Sequence, residues 1–403
     1  MRMRRERGLW PGLFGWVVWV AVFLMAGLPK AEAQAAESAR ERAMGLEQQG
    51  HAAEAEQVWQ SILESKDGTA AERKKQKAEA YAHLGLLEAG QGRYPQAEEY
   101  YRTALAIDPA IPGLQVDLGL AFFKDRKFRE AIAPFNAELR AHPGDMRLLI
   151  LLGMAHYGMG DYLVAVPYLK QAASKDPQSL PLRLALAHSC LWSKQYDCVM
   201  ETYKQILALN AESAEADVLA GEALDEKGDI AGAIEEFRAA VRANPKEPNV
   251  HFGLGYLLWK GKQFDEAAQQ FQEELVNDPQ SREAREYLGD SLVELNDYKG
   301  ASVELEKALA ADPNSPMVHR DLGVVYADSG DKEKAVVELR EAMDLDPKDV
   351  NIHWRLAKLY QSMGKQDEAK AEFTKASSMT RQASEALYQK LDGARAAPPP
   401  TQP

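Results

Sequence analysis

The residues able to do chemistry in this 403-residue chain are two cysteines, eight histidines and an excess of carboxylates. Cys190 and Cys198 do not form a Cys-x-x-Cys pair, and neither a His-Glu-x-x-His motif nor a Gly-rich phosphate loop with a lysine is present. "GMAHYGMGD" (153–161) is glycine-rich, but its glycines belong to a repeated spacing described below. His251, His319 and His353 share one register of that spacing, and His156 and His188 fall on others. Nothing distinguishes any pair of carboxylates from a solvated surface. These patterns predict no catalytic centre, no metal site and no cofactor, and so a protein that is not an enzyme.

Formal net charge is −13. The first 33 residues carry five basic and two acidic side chains, which leaves the remainder near −16. An acidic surface of this kind repels phosphate backbones, so nucleic acid is not an expected partner.

The scaffold that positions these residues repeats every 34 residues. One register holds Gly85, Gly119, Gly153, Ala187, Gly221, Gly255, Gly289, Gly323 and Ala357, each preceded by Leu except where Ala220 stands. Sixteen residues further on come Tyr101, Phe135, Leu169, Tyr203, Phe237, Phe271, Leu305, Leu339 and Phe373. Pro closes most periods, with Ala211 in one slot, and no insertion breaks the frame from 78 to 383. Apolar residues three and four apart mark two helices per period. A small residue lets the two approach, the aromatic or Leu fills the space beside it, and Pro ends the second helix. Such a hairpin cannot bury its own apolar face and must stack on copies of itself.

The Leu-Gly, Ala, aromatic and Pro positions resemble the tetratricopeptide repeat signature, although its early Trp is absent. The resemblance implies an all-α chain, a right-handed superhelical solenoid of antiparallel helix pairs, with nine in-register repeats over 78–383. A degenerate repeat is expected over 36–69, where Ala55, Trp59 and Ile62 suit a second helix. The charged stretch "AAERKKQK" (70–77) absorbs an offset of eight residues. A C-terminal capping helix is expected over 384–395, with Leu387 and Leu391 on one side, followed by a disordered tail over 396–403.

Residues 1–33 read as a signal peptide or signal-anchor. "MRMRRER" is basic, an apolar stretch follows, and Ala31-Glu32-Ala33 fits a small-x-small cleavage site. The stretch 10–28 is also long enough to anchor in a bilayer. Both readings place the solenoid outside the cytoplasm, periplasmic or secreted, and it meets a membrane only if the N-terminal helix is retained.

In the tetratricopeptide family, positions 2, 5, 9 and 12 of the first helix face a concave groove. Carried over, this row predicts a partner-binding strip containing Phe123, Met154, Tyr157, His188, Leu191, Phe252, Tyr256 and Trp259, flanked by Glu222, Asp225 and Asp290. Either these large residues pack against neighbouring helices or they form an exposed apolar strip that marks an interaction site. The second reading predicts a scaffold for a protein or peptide with apolar and basic segments. A membrane-anchored envelope assembly factor and an accessory subunit of an envelope enzyme are the alternatives. Relatives that clasp a peptide carboxylate carry Asn in the sixth-position row; here it contains none, so that clamp is not expected.

The fourth repeat (180–213) departs from the pattern at Ala187, Val199 and Ala211, and also holds both cysteines. Antiparallel helices would bring Cys190 and Cys198 near each other. A disulfide, which an oxidising compartment would preserve, and two buried thiols both fit.

Overall fold

Each 34-residue period becomes two helices joined by a short turn in the computed structural model, which describes residues 30–396 and the side chains of 39–386. The leader expected over 1–33, apart from its last four residues, and the tail from 397 lie outside the described residues. Among the described residues there are twenty helices and no strand. They fall into two compact units, one ending at His142 and the other beginning at Pro143.

The first unit pairs α1 (Lys30–Gln48) with α2 (Ala52–Glu64), α3 (Ala70–Gly90) with α4 (Tyr94–Ile107), and α5 (Leu114–Lys124) with α6 (Phe128–Ala141). Glu47 accepts from Trp59 Nε1 at 2.6 Å and bonds His83 Nδ1 at 3.0 Å, tying the expected degenerate hairpin to the next. The second unit runs α7 (Met146–Met159), α8 (Tyr162–Lys175), α9 (Leu180–Trp192), α10 (Tyr196–Leu207), α11 (Ala214–Glu226), α12 (Ile230–Ala243), α13 (Val250–Lys260) and α14 (Phe264–Asn277). It continues with α15 (Arg282–Glu294), α16 (Tyr298–Ala311), α17 (Pro316–Asp328), α18 (Lys332–Leu345), α19 (Val350–Ser362) and α20 (Gln366–Ala396).

The contact glycine works by sterics. A Cβ at Gly85 would fall 2.5 Å from Tyr101 Cε1, and one at Gly255 would fall 2.8 Å from Phe271 Cε1. With glycine there, the rings of Phe135 and Phe271 seat fully, at 0 % exposure. Where Ala replaces it, the ring opposite is less enclosed. Tyr203, opposite Ala187, is 9 % exposed, and its hydroxyl lies within hydrogen-bond distance of the carboxylates of Asp217, at 2.9 Å, and Glu236, at 2.6 Å. Phe373, opposite Ala357, is half-buried.

The turn inside every hairpin demands a left-handed residue. Gly92, Gly160, Gly228, Gly330 and Gly364 supply it, whereas Arg126, Lys194, Lys262 and Asn296 adopt the same conformation with φ near 60°. The helix end is closed by a bond from the residue after the left-handed one, such as Lys127 N–H to Phe122 O at 2.9 Å. At the far end of the hairpin, the Asp or Asn before the closing Pro accepts from the N–H beyond it. Asp312 Oδ1 to Asn314 N at 2.9 Å is one case.

Two segments fold differently from the sequence reading. "AAERKKQK" is not an insert between hairpins but the first two turns of α3, opened by a capping box between Thr69 and Glu72. The segment 384–395 is not a separate helix: α20 runs unbroken from Gln366 to Ala396. Arg381 occupies the slot where other repeats place Pro, so nothing stops the helix there. No helix among the described residues is long and apolar enough to cross a membrane.

Candidate functional site

The sixth and seventh repeats bring together the largest group of rings. Phe252, Tyr256 and Trp259 line one face of α13 at helical spacing, and Tyr287 of α15 stands against all three. Tyr287 meets Trp259 at 4.8 Å and Tyr256 at 5.5 Å, both edge to face, the arrangement aromatic quadrupoles favour. Tyr256, Trp259 and Tyr287 are half-buried, leaving part of each ring at the surface. Beneath them Phe252 is buried on Phe271, and Glu274 on α14 accepts the Phe252 N–H at 3.0 Å, fixing the start of α13.

Charge surrounds the rings on both sides. On one side, Lys260 Nζ lies 2.7 Å from Asp225 Oδ1 of α11 and 6.0 Å from the centre of the Tyr256 ring. On the other, Trp259 Nε1 donates to Asp290 Oδ2 at 2.5 Å. Arg320 of α17 bonds Asp290 as well, and spans both oxygens of Asp321 at 2.7 and 3.0 Å. Its Nη1 is 3.7 Å from Asp349, whose carboxylate caps α19. Burial pushes the Asp321 carboxyl up to about 7, against the pull of Arg320. Burial also holds Glu222 above the usual carboxylate range, opposed by His188.

Three residues expected on the exposed strip are part of the interior instead. Leu191 is buried, Phe252 is buried between Phe271 of its own hairpin and Tyr287 of the next, and buried Asp290 is consumed by Trp259 and Arg320. Tyr256, Trp259 and Asp225 remain partly accessible around one place, and Glu222, also partly accessible, interacts with His188. Met154 and Tyr157 on α7 are half-buried, Tyr157 packing edge-on to Tyr162 at 5.5 Å. His188 bonds Glu215 at 2.7 Å. Phe123 belongs to the first unit, half-buried and edge-on to Phe128 at 5.2 Å.

The sequence reading missed a polar pair at the position where the signature has its early Trp. His251 bonds Gln270 at 2.7 Å, Arg285 bonds Glu304 at 2.5 Å, and His319 and His353 bond Glu338 and Glu372 at 2.6 Å. Each partner lies 19 residues later, on the second helix of the same hairpin. The recurrence of Glu or Gln at that fixed offset was the available signal. These histidines pin the two helices of a hairpin to each other, and no group of three or more His, Cys, Asp or Glu among the described residues could hold a metal ion.

Cys190 and Cys198 face each other across the fourth hairpin, with Cα atoms 5.8 Å apart and sulfurs 2.03 Å apart. A cavity of about 630 Å³ lies elsewhere, against α20, lined by Gln361, Phe373, Thr374 and Arg381 among others.

Helix pairs packed in sequence order within each unit define a helical-repeat protein. Tetratricopeptide repeat profiles match residues 78–110, 116–180, 156–223, 201–248, 218–282 and 350–382, and further TPR repeat matches cover 289–330 and 325–364. The chain belongs to the tetratricopeptide repeat family. It is 24 % identical over 193 residues to the BBSome complex member BBS4 of Xenopus tropicalis, covering 48 % of this chain and 34 % of that protein. It is 25 % identical over 155 residues to a TPR repeat-containing protein of Methanocaldococcus jannaschii, covering 38 % and 27 % respectively. The chain thus spans about a third or less of the length of these relatives. Among solved structures, MamA 41-end from Desulfovibrio magneticus RS-1 is 23 % identical, covering 42 % of this chain and 96 % of that one, with a TM-score of 0.38.

Proposed function

We propose that this protein is a non-enzymatic scaffold outside the cytoplasm that holds a protein or extended peptide against the first helices of its repeats. One observation carries the reading. Tyr256, Trp259 and Tyr287 keep part of their surface accessible on consecutive first helices, although their neighbours Phe252 and Phe271 already complete the core. Large aromatics of this kind anchor partners, and the carboxylates beside them favour a partner with basic residues. The extracytoplasmic placement rests on the basic and apolar start of the chain and on the facing cysteines, which an oxidising compartment would join. The apolar stretch over 10–28 favours one second reading, a scaffold displayed from a membrane anchor.

The test is site-specific photocrosslinking in the native envelope. A photoreactive residue at position 256 should yield an adduct of discrete mass, while one at Val337, 64 % exposed on a second helix, should not. Equal adducts from both positions would overturn the reading. Tyr256→Ala is the companion variant, since Trp259 also holds Asp290 and its truncation would disturb stability. It should weaken capture by about tenfold or more with little change in melting temperature.

A further inference from the structure

The rings of the sixth and seventh repeats already have a cation on them, and it comes from the chain itself. Lys260 is the last residue of α13, and its side chain folds back so that Nζ lies between Asp225 Oδ1 and the face of Tyr256. A carboxylate on one side and an aromatic face on the other is the pair of elements that recognises an ammonium or guanidinium group. Nothing encloses the Lys260 ammonium: the side chain is 43 % exposed, and its flexible stem can leave without disturbing the helix. Asp225 and Glu226 of α11 set two carboxylates against this one ammonium, so the place remains short of positive charge with Lys260 present. Beside it, the half-buried Trp259 and Tyr287 offer an apolar shoulder within 6 Å of the Tyr256 ring.

We propose that Lys260 is an internal stand-in, occupying a cation site between Asp225 and the Tyr256 ring that a lysine or arginine of the bound segment takes over. The occupant is an extended peptide segment carrying a basic residue next to an apolar one. The cation displaces Lys260 on Tyr256 while the apolar neighbour covers Trp259 and Tyr287. Arginine suits the site better than lysine, because a planar guanidinium stacks on the ring while bonding the carboxylate. Lys260 therefore weakens every such partner by competing with it and confines binding to segments that bring their own cation. This inference rests on the scaffold reading above and adds to it the chemistry of the segment and a built-in competitor.

The experiment uses the full chain and two blocked, fluorescent peptides, one alternating leucine and arginine and one with neutral citrulline in place of arginine. Fluorescence anisotropy at low salt should show the arginine peptide bound more tightly, by about three- to tenfold. Lys260→Met should tighten the arginine peptide by about the same factor and leave the citrulline peptide unchanged, while Asp225→Asn should erase the preference. Lys334→Met is the control. Lys334 also lies over a tyrosine, 5.4 Å from the centre of Tyr326, and pairs with Asp331, so its loss makes the same change in net charge elsewhere. An unchanged peptide ratio in Lys260→Met, or an equal gain in Lys334→Met, overturns the proposal. If both peptides bind equally and both are lost with Tyr256→Ala, the scaffold reading stands and the cation site fails. If Tyr256→Ala affects neither peptide, the scaffold reading itself fails at this place.

Discussion

Arg320→Met is the most informative single change in the second unit. Arg320 is the cation between Asp321, which is fully buried, and Asp290, which is 4 % exposed. Methionine keeps most of the aliphatic packing, so the loss isolates the charge. Removing one partner of a buried ion pair costs roughly 3–5 kcal/mol, because the remaining charge has neither water nor counter-ion. The pH dependence follows from Asp321, whose carboxyl is pushed up to about 7 in the fold against roughly 3.9 in an unfolded chain. The folded state thus binds this proton more tightly, so the associated stability is complete at low pH and is lost as pH rises through about 7. Without Arg320 the carboxyl rises further. The variant should then lose most near pH 8 and recover a large part near pH 5.5, where protonation neutralises Asp321. Urea denaturation at both pH values reads the midpoint, and hydrogen exchange in α15 and α17 locates the loss. A variant that denatures like the wild type near pH 8, or loses equally at both values, would refute the reasoning. Adding Asp321→Asn should restore much of the loss at the higher pH.

Other perturbations test the repeat itself. Gly255→Ala places a methyl group 2.8 Å from the Phe271 ring and should cost about 1–3 kcal/mol in a thermal melt. Lys262→Gly relieves a left-handed side chain at φ 60° and should raise stability by up to about 1 kcal/mol, a gain absent at Gly228, where the same turn already has glycine. Phe271→Ala should lower stability by roughly 3–5 kcal/mol, in contrast to the small effect of Tyr256→Ala. Alkylation of unreduced, denatured protein from its native compartment should add no label to Cys190 or Cys198; two labelled thiols would remove the disulfide from the proposal. Replacing both by serine should cost about 2–3 kcal/mol or less, since the closed loop is short.

The hairpin was legible because its determinants are local and steric. A glycine at one register and a ring sixteen residues later is a packing statement that survives any change of the other side chains. The rows on the first helices were less legible, because their exposure is decided in the following repeat. Phe252 and Trp259 have the same register-based claim to the surface, and Tyr287 stands against both, yet Phe271 lies beneath the first, while the second is held at one edge by Asp290 and stays half-buried. Asp290 looked like a surface acid because its cation sits 30 residues away. The unbroken run of α20 past 381 was readable from Arg381 in a proline slot, and the histidine pairs from their fixed offset. Both require reading a position against its counterparts rather than against its neighbours.

The reach of Arg320 also has a mechanical meaning. In an array whose hairpins touch only adjacent hairpins, pulling on the ends of a unit should release one repeat at a time, each adding about 115 Å of extended chain. Arg320 strengthens one boundary of such an array, because its guanidinium grips α15 through Asp290 while its own helix carries Asp321 and Asp349 waits at the start of α19. Load applied to the seventh repeat is shared with the eighth and ninth until that grip breaks. On a force–extension trace, the seventh and eighth repeats should let go together, in one step of double length.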